Sequence, residues 1–186
     1  MNSGAHATSK AKGIVRTFIE FLAWVLLVLV MFFLLTNFVF CGYVIPSGSM
    51  EDTLMPEDRI FAEKISYYVD SPQPGDIVTF DDPEVPGRTL IKRCVAVAGQ
   101  TVDLQDGKVV VDGVTLSEPY TMGKESLPLN SPTVTYPYTV PQGHIWVMGD
   151  NRTNSLDSRY FGSIRIDSVT GKAFFRFFPF DRIGTL

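Results

Sequence analysis

The chain is poor in the residues that build metal centres, disulfide frameworks and histidine-based catalytic sites. Its 186 residues include only two cysteines and two histidines. Cys41 and Cys94 do not stand in a metal-ligand spacing such as C-x-x-C, and two cysteines cannot form a disulfide framework. We therefore expect two free thiols and no bound metal ion.

Charge is also sparse, and basic charge in particular. Charged residues make up 19% of the chain, with 16 Lys and Arg against 20 Asp and Glu. A net charge of −4 offers no basic field to a phosphate backbone, so nucleic acid is excluded as an expected partner. Hydrophobic residues make up 45% of the chain, which is too apolar for disorder, and the length suits one ordinary domain plus an anchor.

The longest apolar run lies near the N-terminus. Residues 21–35 are all apolar, and the run continues to residue 40 with two polar interruptions. About 20 such residues form a helix of about 30 Å, enough to cross the lipid core of a bilayer. A core helix would have a polar face, and a cleavable signal peptide would be followed by a small-x-small site; this sequence has neither. We therefore expect a transmembrane helix over residues 18–40, in contact with membrane lipid.

Charge around this helix predicts its orientation. Residues 1–20 carry three basic side chains and one acidic one, whereas the remaining 166 residues carry 13 basic and 19 acidic side chains. The positive-inside rule then keeps residues 1–17 in the cytoplasm as an N-terminal tail. Residues 41–186 become an extracytoplasmic domain of a single-pass protein of the cell membrane.

Beyond the anchor, short apolar runs separated by Pro and Gly predict β-strands. The runs cover residues 76–80, 89–98, 108–116, 144–148 and 168–178. Asp-Gly pairs at 106–107 and 112–113 predict tight hairpin turns. Residues 117–141 contain five prolines and predict an irregular surface excursion rather than a second hydrophobic core. The expected fold class is mainly β, an antiparallel sheet domain on one N-terminal helix.

Residues 173–180 form a phenylalanine-rich segment. We expect a core strand there. The alternative is that some of these rings lie on the surface and enter the lipid interface, where aromatic rings are favoured.

Histidine and cysteine are weak candidates for catalysis. His144 is the one histidine beyond the predicted span, and it follows a Pro-Gln-Gly turn and opens an apolar run, as a strand-start residue does. A Ser-His-Asp triad is therefore not expected. Cys94 lacks a histidine partner and lies within an apolar strand, so we expect it to serve in packing.

Three other segments have unusual patterns of polar residues. Residues 45–50 place small hydroxyl residues around a glycine, which suits either an exposed serine on a turn or a plain juxtamembrane linker. In 90–98, strand alternation places Lys92 on the same face as Leu90, Cys94 and Ala96. Desolvation there would lower the pKa of the lysine until its neutral amine could act as a base, unless the side chain reaches water at a sheet edge. Residues 149–159 form either a polar surface loop or a network that positions catalytic groups.

Taken together and in order, these segments resemble bacterial type I signal peptidases, the membrane-anchored Ser/Lys endopeptidases that remove signal peptides from exported proteins. The matching motifs are Pro-Ser-x-Ser-Met at 46–50 followed by Leu54, Lys92-Arg93, and Gly-Asp-Asn-Arg-x-x-Ser-x-Asp-Ser-Arg at 149–159. Supporting stretches are Pro-Gly-Asp-Ile-Val at 74–78 and the closing Phe-Pro-x-x-Arg-Ile-Gly. The chain departs from the family after residue 93, where it lacks the Pro and Asp of a Gly-Pro-Gly-Asp-like turn.

The resemblance implies a role for each matching residue. Ser49 would be the nucleophile and Lys92 its general base, with the Ser47 hydroxyl and the Ser49 N–H forming the oxyanion hole. Ser155 would accept a hydrogen bond from the lysine amine, so we expect the amine to reach both Ser49 and Ser155. Asp157 and Arg159 would be structural supports of the pair. The substrate-binding residues would be Ile45, Met50, Leu54 and Ile91.

The implied substrates are secretory preproteins, cleaved after a small-x-small motif without a metal or organic cofactor. A self-cleaving Ser/Lys repressor is a second enzymatic possibility, but such proteins are cytosolic and the membrane span argues against it. The alternative of a different class is a catalytically inactive anchored β module that binds exported peptides by strand addition. Nothing in the sequence bears on self-association.

Overall fold

The computed structural model describes residues 3–35 and 39–186. The chain divides into two compact units, Met1–Val39 and Phe40–Leu186. The first contains helix α1 (Ser3–Leu34), in which the window Arg16–Phe33 has a mean hydropathy of 2.1 and is long and apolar enough to cross a membrane. Of the predicted span 18–40, residues 36–38 lie outside the described part of the chain. Phe40 belongs to the first strand rather than to the helix, because it pairs with Glu63.

The second unit is built from antiparallel strands, which confirms the predicted fold class. In the described residues there are twelve: β1 (Phe40–Val44), β2 (Arg59–Glu63), β3 (Ile77–Asp81), β4 (Thr89–Val97), β5 (Thr101–Gln105), β6 (Lys108–Val111), β7 (Val114–Thr115), β8 (Tyr138–Thr139), β9 (His144–Met148), β10 (Ile164–Arg165), β11 (Val169–Phe178) and β12 (Gly184–Thr185). Two one-turn helices, α2 (Ser66–Val69) and α3 (Ser158–Phe161), join them.

The strands form two sheets. The larger has the order β1-β2-β11-β3-β4-β9-β10, with β12 beside β11, and the smaller has the order β7-β6-β5-β8. Within the larger sheet, Lys92 of β4 pairs with Val78 of β3, and Arg93 pairs with Met148 at the end of β9. The segment that follows β9 therefore starts next to β4, the strand that contains Lys92.

Both Asp-Gly hairpin predictions are confirmed. Asp106 and Gly107 have φ angles of 49° and 72°, and Asp112 and Gly113 have 50° and 80°. Two successive positive φ angles are typical of type I′ turns, whose twist matches that of the flanking strands. The predicted run 108–116 is therefore two strands, β6 and β7, joined by the second of these turns.

The proline-rich segment 117–141 is irregular, as predicted, but it is not only a surface excursion. Val140 is 1% exposed, and the rings of Tyr136 and Tyr138 lie with their centroids 6.1 and 4.7 Å from that of the buried Trp146. The segment thus adds side chains to the cluster around Trp146 and does not form a second core of its own. Proline interrupts strand pairing, but it does not prevent neighbouring side chains from covering an apolar cluster.

Strand β4 follows the predicted alternation only in part. Lys92 and Cys94 are both buried, and Leu90 packs against the same cluster as Cys94. A bulge between Cys94 and Ala96 then shifts the register, so Ala96 packs in the cluster around Trp146 instead. An extra residue in one strand reverses the side-chain alternation beyond it.

Strand β11 lies in the middle of the larger sheet, between β2 and β3. Its buried residues are Gly171 and Ala173, whereas none of the phenylalanines in segment 173–180 is buried, and Phe180 is 79% exposed. The expected core strand is therefore present, but its aromatic side chains lie outside the core.

Candidate active site

Ser49 lies in a short helical turn, Gly48–Met50, that follows β1. Ser47 precedes the turn with an extended backbone and an exposed side chain, and the N–H of Glu51 donates to the Gly48 carbonyl at 3.1 Å. The loop is closed at its base, because the N–H of Ile45 donates to the Asp58 carbonyl at 2.9 Å. The chain thus presents Ser49 on a tightly bonded turn, and only 9% of the residue is exposed.

Lys92 reaches this serine from β4. Its Nζ donates to Ser49 Oγ at 2.8 Å and to the Ile91 carbonyl at 2.9 Å. The residue is 3% exposed, and the described residues provide it with no ion pair to a carboxylate. The predicted contact between the two side chains, which are 43 residues apart in sequence, is therefore formed.

The environment of Lys92 suits it to act as a base. Burial lowers the pKa of its amine to about 8, an effect that the carboxylates of Asp157, Asp82 and Asp150 oppose and that Arg88 reinforces. At pH 7 about one lysine in ten is then neutral, whereas at the ordinary pKa of about 10.4 fewer than about one in a thousand would be.

Asn151 holds the backbone of the turn Gly48–Met50, called the serine turn below. Its N–H donates to the Ser49 carbonyl at 3.1 Å, and its Nδ2 donates to the Gly48 carbonyl at 2.9 Å and to Glu51 Oε2 at 3.0 Å. These three hydrogen bonds, to residues 48, 49 and 51, hold the turn against the 149–159 segment.

Gly149 permits the close approach of this segment to the serine. A Cβ at position 149 would lie 2.6 Å from the Cβ of Ser155 and would overlap the Ser49 carbonyl oxygen. Real Cβ atoms do not approach other heavy atoms this closely, so only glycine fits.

Ser155 itself does not make the predicted hydrogen bond to Lys92. Its Oγ is buried and has no hydrogen-bond partner in the part of the chain that the structure describes. The prediction is wrong for this structure, in which the lysine amine is directed to Ser49 and to the Ile91 carbonyl instead. A supporting role for Ser155 stays a prediction.

Asp157 and Arg159 form a buried ion pair, with Nε–Oδ1 and Nη2–Oδ2 distances of 2.9 Å. Asp157 also accepts from the N–H of Gly149 at 3.0 Å, and Arg159 donates to the Arg152 carbonyl at 2.8 Å. Both side chains are at most 1% exposed. The pair joins the two ends of the 149–159 segment, which is the geometry that a structural support requires.

Arg93, the neighbour of Lys92, has a larger structural role than its position in the sequence indicated. Its guanidinium forms two hydrogen bonds to Asp150, at 2.9 and 2.7 Å, and donates to the Gly75 carbonyl at 2.8 Å. The ring of Tyr120 lies 4.1 Å below it. The Lys-Arg motif at 92–93 and the Gly-Asp motif at 149–150 could have suggested the pairing of Arg93 with Asp150. Nothing in the sequence pointed to Tyr120.

The predicted substrate-binding residues differ in accessibility. Ile45, Met50 and Leu54 are at most 2% exposed and pack in one core cluster below the serine turn, while Ile91 at the edge of that cluster is partly exposed. In this conformation Ile91 alone of the four offers appreciable surface to a peptide. Direct substrate contact by the other three stays a prediction.

Comparison with known proteins identifies the class of protein that carries this site. The family model described as signal peptidase, peptidase S26, matches residues 18–178, so the chain belongs to this family. It is a signal peptidase, which confirms the predicted enzyme class.

Individual relatives share most of their length with the chain. The probable signal peptidase I-1 of Synechocystis sp. is 43% identical over 165 residues, covering 85% of this chain and 81% of the relative. Signal peptidase I T of Bacillus subtilis is 32% identical and covers 98% of this chain and 95% of the relative. A crystal structure of a signal peptidase I from Enterococcus faecalis is 33% identical, with a TM-score of 0.48, covering 56% of this chain and 97% of that one.

Proposed function

We propose that this signal peptidase is a serine endopeptidase that uses Ser49 as nucleophile and Lys92 as general base, and that it acts on exported preproteins. The observation that carries the proposal is the 2.8 Å hydrogen bond between Lys92 Nζ and Ser49 Oγ, made by a lysine that is 3% exposed. A serine needs an adjacent base, and a desolvated lysine can supply one without histidine.

In the proposed reaction, the neutral amine of Lys92 takes the proton of Ser49 Oγ as that oxygen bonds to the scissile carbonyl carbon. The resulting ammonium returns the proton to the leaving amine as the peptide bond breaks, which leaves an acyl-enzyme on Ser49. A water molecule then attacks the ester carbonyl carbon while Lys92 accepts its proton. The ammonium gives this proton to Ser49 Oγ as the acyl C–O bond breaks and the new carboxyl terminus leaves. The base is regenerated at the end of each cycle.

The oxyanion of each tetrahedral intermediate would be held by the N–H of Ser49 and the hydroxyl of Ser47. The bonds from Asn151 to Gly48 and Ser49 support this assignment, because a donor that is fixed before the reaction stabilises developing charge without reorganisation.

We further propose that substrates carry small residues, chiefly alanine, one and three positions before the cut. In an extended peptide these two side chains point to the same side, toward the wall that contains Ile91. If a phenylalanine placed just before the cut leaves the cleavage rate of a purified preprotein unchanged, this specificity is refuted.

The proposed topology places residues 1–17 in the cytoplasm, the apolar helix across the membrane and the β domain from Phe40 onward on the outer side. Aromatic side chains support contact between the outer domain and lipid, because several are exposed and lie close together. The pairs are Phe40 with Phe174, Phe61 with Phe177, and Phe178 with Phe180, at centroid distances of 5.8, 4.3 and 5.6 Å. Protease added outside intact spheroplasts should digest the domain, and full protection would refute the topology.

Cleavage of one purified preprotein in detergent tests the catalytic proposal. Wild-type protein should form product, and both Ser49→Ala and Lys92→Arg should not, because arginine keeps the charge but does not release a proton near neutral pH. Lys108→Arg, the same exchange at an exposed lysine of β6, is the matched control and should cleave normally. Product from Ser49→Ala would refute the assignment.

A serine-directed acylating probe separates the enzyme from a peptide-binding module. The enzyme should be labelled in the wild type and not in Ser49→Ala, whereas a binding module would show no Ser49-dependent adduct.

A further inference from the structure

Part of the proline-rich excursion, residues 118–127, contacts the 149–159 segment through a buried charge pair. Glu118 accepts two hydrogen bonds from Arg152, at 2.6 and 2.8 Å, and Ser126 Oγ accepts a third at 2.6 Å. The side chain of Arg152 is fully buried and that of Glu118 is 8% exposed. A guanidinium without water needs such partners, since leaving it unpaired in the interior is strongly unfavourable.

Arg152 also contacts the residue that lies against Ser49. Its Nε donates to the Gly149 carbonyl at 2.9 Å. Gly149 in turn lies so close to the carbonyl of Ser49 and to the side chain of Ser155 that no Cβ fits between them. A chain of contacts through one arginine and one glycine therefore links Glu118 to Ser49.

The same short segment also contacts the two other parts of the site. The ring of Tyr120 stacks 4.1 Å from the guanidinium of Arg93, the residue next to Lys92. Lys124 forms an ion pair with Asp52, three residues after Ser49. Asp52 has a φ angle of 80°, in the left-handed region that Asp adopts more readily than most residues with a Cβ.

We propose that residues 118–127 are a positioning element of the peptidase, which holds the serine turn, strand β4 and the 149–159 segment in register, with Glu118 as its principal positioning residue. The inference rests on the proposed roles of Ser49 and Lys92. One segment without catalytic groups of its own contacts all three segments that supply the proposed chemistry, and its strongest contact is buried.

The test is the rate at which a saturating serine-directed acylating probe labels Ser49 in the full chain in detergent, measured across pH together with the thermal unfolding midpoint. Glu118→Gln should lower the plateau rate about tenfold to a hundredfold, because small displacements of reacting groups have effects of that size. The pH midpoint should not move, since the charges that act on Lys92 are those of Asp157, Asp82, Arg88 and Asp150. Glu125→Gln, the same exchange at an exposed residue of the segment, is the control and should label at the wild-type rate.

An unchanged plateau rate for folded Glu118→Gln would overturn the inference, whether or not the pH midpoint or the unfolding midpoint shifts. If this variant does not fold, Lys124→Met decides, because its side chain is 28% exposed and its ion pair is at the surface. We expect it to lower the plateau at least twofold and at most about fivefold, and an unchanged rate would overturn the inference. Wild-type protein that is not labelled at Ser49 would instead refute the proposed function, and the inference with it.

Discussion

Replacement of Lys92 by methionine should inactivate the protein and yet stabilise it at neutral pH. The lysine is 3% exposed and its pKa is lowered from 10.5 to about 8. Since a tenfold change in a protonation equilibrium corresponds to about 1.4 kcal/mol, keeping this amine protonated in the folded protein is unfavourable by about 3 kcal/mol. Lys92→Met removes that penalty, and the methionine side chain has a volume similar to that of lysine.

The same substitution also removes the hydrogen bonds from Lys92 to Ser49 and to the Ile91 carbonyl. Each contributes about 1 kcal/mol, so Lys92→Met should be the more stable protein at pH 7 by about 1 kcal/mol. Between pH 8 and 10.5 the unfolded chain binds the lysine proton and the folded chain does not, so the stability of the wild type rises with pH relative to the variant. Above this range the wild type should be the more stable by about 2 kcal/mol.

Urea unfolding in detergent between pH 6.5 and about 10.5 measures this difference, with the fluorescence of the fully buried Trp146 as the signal. Both proteins should carry Trp24→Phe, because Trp24 is the other tryptophan of the chain and lies in α1. Ionisations common to both proteins cancel in the comparison. Lys108→Met removes an exposed lysine instead, and it should keep the wild-type pH dependence because Lys92 is still present.

The reasoning is refuted if the difference in unfolding free energy between wild type and Lys92→Met stays flat across this pH range. A flat difference would mean that the lysine is not desolvated in the folded protein. A lysine with an ordinary pKa would also be a poor base at neutral pH, so the result would count against the proposed mechanism as well as against the stability argument.

Three further predictions concern the same site. The turnover number should rise with pH and level off above about 8, because only the neutral amine of Lys92 accepts the serine proton; a profile that is flat from pH 6 to 9 would contradict this. Gly149→Ala should reduce Ser49 labelling by at least about a hundredfold, since its Cβ would displace the Ser49 carbonyl, and wild-type labelling would show that the segment can move aside. Asp157→Asn should lower the free energy of unfolding by about 3 to 5 kcal/mol because it leaves the buried charge of Arg159 without its carboxylate; a loss below 1 kcal/mol in urea titration would exclude that role.

Much of the sheet could be predicted from local patterns. The run 144–148 coincides with β9, and 89–98 exceeds β4 by one residue. The Asp-Gly turns were predictable because their chemistry is local. Strands β1 and β2 were missed, since the polar or small residues that each contains weaken the alternation.

The candidate site, like the sheet, could be predicted from the sequence only in part. The contact between Ser49 and Lys92 was expected from the resemblance of three motifs to a known family, although the motifs alone do not show which side chains meet. The pairing of Glu118 with Arg152 joins residues 34 apart, one of them in a proline-rich stretch with no regular pattern. Such a pair leaves no local signal in the sequence, because it depends on how two irregular segments pack.

The place of β11 in the sheet has a consequence for biosynthesis. Strands β2 and β3 follow one another along the chain, yet β11 lies between them and pairs with both. The serine turn belongs to the β1-β2 side and Lys92 to the β3-β4 side, so the ladder that connects them requires a strand translated after nearly all the others. A nascent chain that ends before residue 169 lacks this central strand, and the parts of the sheet that carry Ser49 and Lys92 then share no hydrogen-bond ladder. We therefore expect Ser49 and Lys92 to come together only after β11 has paired with both β2 and β3.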